Sequence, residues 1–297
     1  MQKIYKMKVG LFGSGYHTDK LPLIRRLFKK LAALKAEVYV SHNFYTFLAE
    51  FPEVCPMIDG VLQAPPFDLD IALSVGGDGT FLRTAEQINR QNIPILGINT
   101  GRLGFLADIG AEQIEETLDE LYHKHYHIEE RMLLRLDMDK HSFEGYNCAL
   151  NEVAILKRET SSMITIHTSL NDEYLTSYQA DGLVIATPTG STAYSMSVNG
   201  PIILPQSDNI VLSPVAPHSL NVRPLVVPGS YKISLNIESR THSFLISLDG
   251  RSQSCPTDVR LSVSKADFSI LIINRYNQTF YQTLRDKLMW GADKRVK

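Results

Sequence analysis

The pattern of hydrophobic and polar positions changes its period once along this chain, and the change divides it. From Lys8 to about Tyr122, short apolar runs alternate with longer stretches at helical spacing. Lys8-Val9-Gly10-Leu11-Phe12-Gly13, Glu37-Val38-Tyr39-Val40-Ser41, Asp70-Ile71-Ala72-Leu73-Ser74-Val75 and Ile93-Pro94-Ile95-Leu96-Gly97-Ile98-Asn99 read as strands. Leucines at helical spacing from about Asp19 to Lys35, behind candidate caps at Thr18 and Asp19, predict a helix, as do Phe81 to Ile88 and Ala111 to Tyr122. The alternation predicts a doubly wound parallel sheet, with ligands at the carboxyl ends of its strands.

After about Ile128 the period becomes two. Met132 to Met138, Ser162 to Thr168, Tyr231 to Ile237, Phe244 to Leu248 and Arg260 to Ser264 largely alternate polar with apolar. Such a series with little helix between its members predicts a β-rich, sandwich-like second domain. Thr279 to Trp290 reads as helix again and is expected to pack back on the first domain, the two halves sharing a cleft. The expected domains are residues 1–127 with 276–297, and residues 128–275.

Composition narrows the classes. The chain has 297 residues, enough for two cores, with 44% hydrophobic and 21% charged residues, as in soluble globular proteins. No apolar run approaches bilayer length, and the lysines near the N-terminus precede no signal-peptide pattern, so no membrane is expected and cytoplasmic residence is the default. A net charge of -2 gives no field for nucleic acid. Cys55, Cys148 and Cys255 are too dispersed for a disulfide framework or clustered zinc site, and read as reduced thiols. His123, His125 and His127 alternate beside Lys124 and two tyrosines, a pattern read as the solvated end of an element rather than a metal site. No metal-ligand set is expected.

The run Ser74-Val75-Gly76-Gly77-Asp78-Gly79-Thr80-Phe81-Leu82 joins a buried strand to a helix. Gly76, Gly77 and Gly79 leave backbone amides open to a phosphate, and the helix start behind them favours negative charge. Asp78 is the anomaly, since a carboxylate repels phosphate. Its presence points to work on a hydroxyl or a metal ion, while a plain tight turn with Asp78 as a helix cap explains the same residues. Gly97 to Leu106 ends the next strand in another glycine loop. Leu150-Asn151-Glu152-Val153-Ala154-Ile155 places an amide and a carboxylate in an apolar strand, where each needs a partner, either a ribose hydroxyl or a strand-end hydrogen bond. Ala180 to Pro201 runs from a strand into a loop dense in small hydroxyls, Thr189, Ser191, Thr192, Ser195 and Ser197, with room near Tyr194 for a flat ring. These predict a polar pocket supplying short uncharged donors.

Taken together, Gly76 to Arg83, Gly97 to Asp108, Leu150 to Ile155, Ala180 to Ile202 and Ser213 to Leu220 closely resemble the NAD kinase family, in the family's order over about two thirds of the chain. The glycine elbow alone is shared with lipid kinases of the diacylglycerol type; the Asn-Glu pair and the hydroxyl-rich segment are more specific. The resemblance implies magnesium-dependent transfer of a phosphoryl group from ATP, or in some members polyphosphate, to the 2′-hydroxyl of the adenosine ribose of NAD. It implies Asp78 as proton acceptor, Gly76, Gly77, Gly79 and Thr80 shaping the phosphate turn, and Arg83 available for phosphate charge. Asn151 and Glu152 would hold the adenosine part. Asp181, Thr192, Ala193, Tyr194, Ser195, Met196 and Ser197 match positions around the dinucleotide, as do Ser162, Ala216 and Arg251 more weakly; Arg251 stands where many members carry glutamine. Members are usually homodimers or homotetramers. A dehydrogenase reading of Gly13-Ser14-Gly15 lacks the third glycine, because Thr18 stands there. A lipid kinase leaves Asn151, Glu152 and the hydroxyl-rich segment without a purpose.

Overall fold

The computed structural model describes residues 6–13, 15, 20–51, 57–101, 103–158 and 163–291. The candidate caps Thr18 and Asp19, Cys55 and the site candidate Ser162 lie outside the described residues. The chain divides into two units, Met1–Glu129 with Ile270–Lys297, and Glu130–Ser269.

In the first unit the order is β1 (Lys8–Phe12), α1 (Leu21–Ala33), β2 (Glu37–Ser41), α2 (His42–Leu48), β3 (Gly60–Leu62), β4 (Ile71–Gly76), α3 (Asp78–Ile88), β5 (Ile95–Asn99) and α4 (Ile114–Tyr122). The strands lie in the order β5-β4-β1-β2-β3, every pair parallel. β4 and β5 are buried along their whole length because helices cover both faces, which is why their sequences are apolar runs rather than alternating ones. The chain runs outward from β1 through β2 to β3, then returns to place β4 on the other side of β1 and β5 beyond it. That reversal makes a topological switch point between β1 and β4, the position where such sheets bind ligands. Leu27, Phe28 and Leu31 of α1 and Leu118 and Leu121 of α4 pack on Leu11, Leu73 and Leu96 of the sheet.

The second unit contains β6 (His127–Met138), β7 (Cys148–Ala149), β8 (Glu152–Lys157), β9 (Ile164–Leu170), β10 (Glu173–Ala180), β11 (Gly182–Ala186), α5 (Tyr194–Ser197), β12 (Asn209–Val215), β13 (Leu225–Pro228), β14 (Ile233–Glu238), β15 (Ser243–Leu248), β16 (Arg251–Pro256) and the start of β17 (Leu261–Asn274). An antiparallel sheet of order β13-β12-β11-β8-β15-β16 faces a second one of order β10-β9-β14-β17, with β6 beside β17. Their inner faces share one core: Val153, Ile155, Leu183, Ile185 and Phe244 meet Leu134, Ile166, Leu235 and Val263. The other face of β8, β11 and β12 is also covered, because Tyr194, Val198 and Ile203 lie over Ala154, Val184, Ala186 and Val211. This double burial explains the unbroken apolar run Gly182–Ala186.

The end of β17 returns to the first unit, where Ile272 lies opposite Ile95, and α6 (Phe280–Leu288) follows, its Thr279 side chain accepting from the amide of Gln282. Arg275, 5% exposed, is clamped to Glu120 of α4, with Nη2 to Oε1 at 3.1 Å, and to Glu116 at 2.9 Å. Gln278 donates to Asp108, and Phe280 meets Phe105 at 6.2 Å between ring centres. The predicted return of the C-terminal helix to the first domain thus has named anchors. The sequence pattern alone did not reveal α2, β3, β7, β10, α5, β12, β13 or β16.

Candidate active site

The glycine elbow closes β4. Gly76 has φ of +154°, and a Cβ there would run into the Thr80 side chain, so only glycine makes this bend. Gly77 caps α3 in extended conformation, and its carbonyl accepts from Thr80 at 2.9 Å and Phe81 at 3.1 Å. The amide-bearing start of an 11-residue helix is thereby presented at the carboxyl end of β4. Arg83, one turn on, donates from Nη2 to Thr80 Oγ1 at 3.2 Å.

Asp78 is the first residue of α3, and its carboxylate is held by a loop nearly thirty positions away. Phe105 donates its amide to Oδ2 at 2.9 Å, and Leu106 and Ala107 donate theirs to Oδ1 at 3.0 and 2.9 Å. Lys287 of α6 approaches Oδ2 at 3.5 Å, its ammonium also lying 4.3 Å from the centre of the Phe105 ring. The loop is itself tied down: Gly104 donates to the Ala107 carbonyl at 2.9 Å, and Asn99 Nδ2 donates to the same oxygen at 3.0 Å. A Cβ on Gly104 would collide with Asp78 Oδ1, so the glycine is what lets the loop close on the carboxylate. The Asp78 side chain remains 30% exposed. It is therefore oriented by backbone and still open to a ligand, and the glycine loop 97–106 is a clasp for it rather than a plain turn.

In the second unit, Asn151 and Glu152 stand at the start of β8. The side chain that fixes them is Asp249, in the turn between β15 and β16. Its Oδ2 accepts from the Leu150 amide at 2.7 Å, and its Oδ1 from Asn151 at 2.9 Å and Glu152 at 3.1 Å. On the opposite side Thr187 donates its amide to the Asn151 carbonyl at 2.9 Å and its hydroxyl to the Leu150 carbonyl at 2.6 Å. Gly190 packs so closely on the Asn151 backbone that a Cβ would not fit. Asn151 is 8% exposed. Glu152 accepts from the Tyr194 amide, yet its Oε2 is buried with no hydrogen-bond partner. Burial, reinforced by the Asp249 charge, pushes the Glu152 carboxyl up to about 8. Asp249 is also raised, chiefly by burial and against its three amide bonds.

The hydroxyl-rich segment differs from its sequence reading. Ser191 and Ser195 are fully buried. Ser191 Oγ donates to the Pro188 carbonyl at 2.6 Å and accepts from the Ile203 amide at 3.0 Å, while Ser195 Oγ lies 3.0 Å from Ser213 Oγ. Thr192 donates to the Thr189 carbonyl at 3.2 Å. These hydroxyls hold the turn in shape instead of offering donors to a pocket, because a small side chain reaches its own loop backbone sooner than a ligand. Ala193, Tyr194, Met196 and Ser197 lie on the same turn and helix α5, with the Tyr194 ring over the outer face of β8.

Asp181 is paired with Lys157 at 2.6 Å. Ala216 adopts a left-handed φ of +44° directly after β12. The Arg251 guanidinium donates to the Tyr146 and Cys148 carbonyls and lies 5.2 Å from the centre of the Tyr146 ring, so it is bound to protein backbone. Sequence reasoning missed Asp249 and Lys287, and gave Gly104, inside the glycine loop 97–106, no role of its own. A Leu-Asp-Gly turn between two strands was the signal for the first; nothing local announces the others. Among the described residues no three His, Cys, Asp or Glu side chains gather as a metal site, and no helix is long and apolar enough to cross a membrane.

A helix start behind a glycine elbow, carrying an oriented, accessible carboxylate on an α/β unit joined to a β-rich unit, fits a phosphotransferase acting on a nucleotide. Residues 9–126 match the family model for the ATP-NAD kinase N-terminal domain, and residues 150–275 that for the C-terminal domain. The chain belongs to the NAD kinase family. It is 51% identical over 290 residues to an NAD kinase of Bacteroides fragilis, covering 98% of this chain and 100% of that protein. It is 47% identical over 285 residues to one of Porphyromonas gingivalis, covering 96% and 98%. Its fold matches a yeast NADH kinase solved with NADH, at a TM-score of 0.86 and 23% identity over 100% of this chain and 92% of that one. It also matches an Archaeoglobus fulgidus NAD kinase solved with ATP, at 0.75 and 26% over 95% and 99%.

Proposed function

We propose that this protein is an NAD kinase, transferring the γ-phosphoryl group of ATP to the 2′-hydroxyl of the adenosine ribose of NAD to give NADP. The observation that carries the chemistry is the Asp78 carboxylate, fixed by three backbone amides and still 30% exposed. A carboxylate has about four lone-pair positions; among the described residues the fourth meets the Lys287 ammonium at 3.5 Å, a long contact that a ribose hydroxyl can displace. Asp78 takes the hydroxyl proton as the oxygen attacks phosphorus. Phosphoryl transfer asks a protein mainly for positioning and charge neutralisation. Gly76, Gly77, Gly79 and Thr80 supply the phosphate turn, and Arg83 supplies charge. Asn151 and Glu152 hold the adenosine ribose, and Asp181, Ala193, Tyr194, Met196 and Ser197 surround the dinucleotide. Thr192 and Ser195 shape that turn from within, and Ala216 lies near it. Arg251 acts by fixing the chain at Tyr146 and Cys148.

Magnesium would arrive with ATP and would supply charge neutralisation on its phosphates, beside the turn of Gly76, Gly77, Gly79 and Thr80. The enzyme works as a homodimer or homotetramer in the cytoplasm, in keeping with the free thiols of Cys148 and Cys255.

The test is to incubate the protein with MgATP and NAD and measure NADP through an NADP-specific dehydrogenase, with parallel reactions containing NADH, polyphosphate in place of ATP, and diacylglycerol. NADP formation at many turnovers per site supports the assignment. Turnover of the lipid with none of NAD establishes the lipid kinase instead.

A further inference from the structure

The two half-buried carboxyls that meet at the start of β8, Glu152 and Asp249, are unlike ordinary ligand-binding acids. Glu152 has one oxygen supplied by the Tyr194 amide and another, Oε2, buried without a partner. An ionised oxygen left so would cost several kcal/mol, roughly 2–7 for even a neutral polar group. Asp249 spends its carboxylate on three successive amides, Leu150, Asn151 and Glu152, and its negative charge bears on Glu152. The charged groups around the pair are few. Arg251 of β16 acts on Asp249, and Lys157, at the far end of β8, is occupied by Asp181.

We propose that Asp249 is the positioning residue of the Asn151–Glu152 pair, holding its main chain and making Glu152 give up a proton when a dinucleotide hydroxyl takes the unpartnered Oε2. The inference rests on the dinucleotide reading above. In the free protein Glu152 is a neutral acid below about 8. When a ribose hydroxyl donates to Oε2, the carboxylate form is stabilised, its proton leaves to the solvent, and no covalent bond to the ligand forms. Binding therefore tightens as pH rises, by up to tenfold per unit below about 8, and levels off above it. NAD itself has no group titrating near neutrality, so the proton has to come from the protein.

Calorimetric titration of the full chain with NAD tests this, run between pH 6 and 9 in buffers of different ionisation enthalpy. Close to one proton released per site at neutral pH, vanishing at the alkaline end, is expected; binding with no proton release would overturn the proposal. Glu152→Gln should bind with neither release nor pH dependence, and persistence of both in that variant contradicts it. Asp249→Asn should move the pH midpoint downward. A merely structural Asp249 would weaken binding equally at every pH, and that result also overturns the assignment. If wild-type protein binds no NAD at any pH, the dinucleotide reading fails, and this inference with it; proton-free binding leaves that reading standing.

Discussion

The same device occurs in both units with different outcomes. Asp78 accepts from three successive amides, Phe105 to Ala107, and Asp249 accepts from three successive amides, Leu150 to Glu152. In each case one carboxylate pins a loop or strand end remote in sequence and satisfies donors that burial would otherwise strand. The difference lies in solvent and in what stands beside them. Asp78 has access to solvent and a weak fourth partner, so its carboxylate holds its loop and stays open to a ligand. Asp249 is half-buried beside a second acid whose Oε2 is shut off from solvent, so its charge is felt by Glu152. The same three-amide geometry thus leaves one carboxylate open to a ligand and sets the other against a neighbouring acid.

That contrast can be broken by substitution. The largest effect is expected from Asp78→Asn, which should lower kcat by about two to four powers of ten, the usual worth of general base help. Gly104→Ala, far outside the phosphate turn, should cost on the order of a hundredfold in turnover, because its methyl group would displace Asp78 Oδ1 and small misplacements of reacting groups are expensive. Full activity of the alanine variant in steady-state assays would show that the clasp on Asp78 is incidental. Asp249→Ala leaves the amides of residues 150–152 unpaired, at about 1–3 kcal/mol for each that water cannot reach, and should lower the melting temperature of the protein by several degrees. Unchanged melting would argue that the strand end needs no anchor.

A smaller effect is expected at the clamp between Arg275 and α4. Hydrogen bonding to Arg275 holds the Glu120 carboxyl below its ordinary value of 4.5, against a desolvation penalty. A folded-state value below the unfolded one means the contribution is complete above about 4.5 and disappears as pH falls through the lower folded value. Glu120→Gln should therefore destabilise the protein in urea at neutral pH, by only about 1 kcal/mol because Arg275 keeps Glu116, and by much less in acid. The smallest effect belongs to Lys287→Met: its contact with Asp78 is long and both side chains are near 30% exposed, so stability should change by under about 1 kcal/mol. Loss of turnover comparable to that of Asp78→Asn would instead place Lys287 in the chemistry.

The sequence made the elbow legible because all its information is local: a buried strand, three glycines and one carboxylate in nine positions. Asn151 and Glu152 were visible for the opposite reason, as polar residues in an apolar strand. The partners of both sites were not, since Asp249 lies about a hundred positions from the amides it holds and Lys287 lies 209 from Asp78. The hydroxyls of Ser191 and Ser195 misled because composition records a donor's presence and not its partner, and both turn inward. The strands β7 and β13 escaped notice because 2 and 4 residues carry too few alternations to stand out, and β16 because Cys255 is its one apolar side chain beside Pro256.

The central claim is that Asp78 takes the proton from the acceptor hydroxyl, and it is tested most directly by measuring NAD affinity and NADP formation on one preparation of Asp78→Asn. The account predicts a dissociation constant within a few-fold of the wild type and turnover nearly abolished. Turnover close to the wild-type rate at unchanged affinity would contradict it.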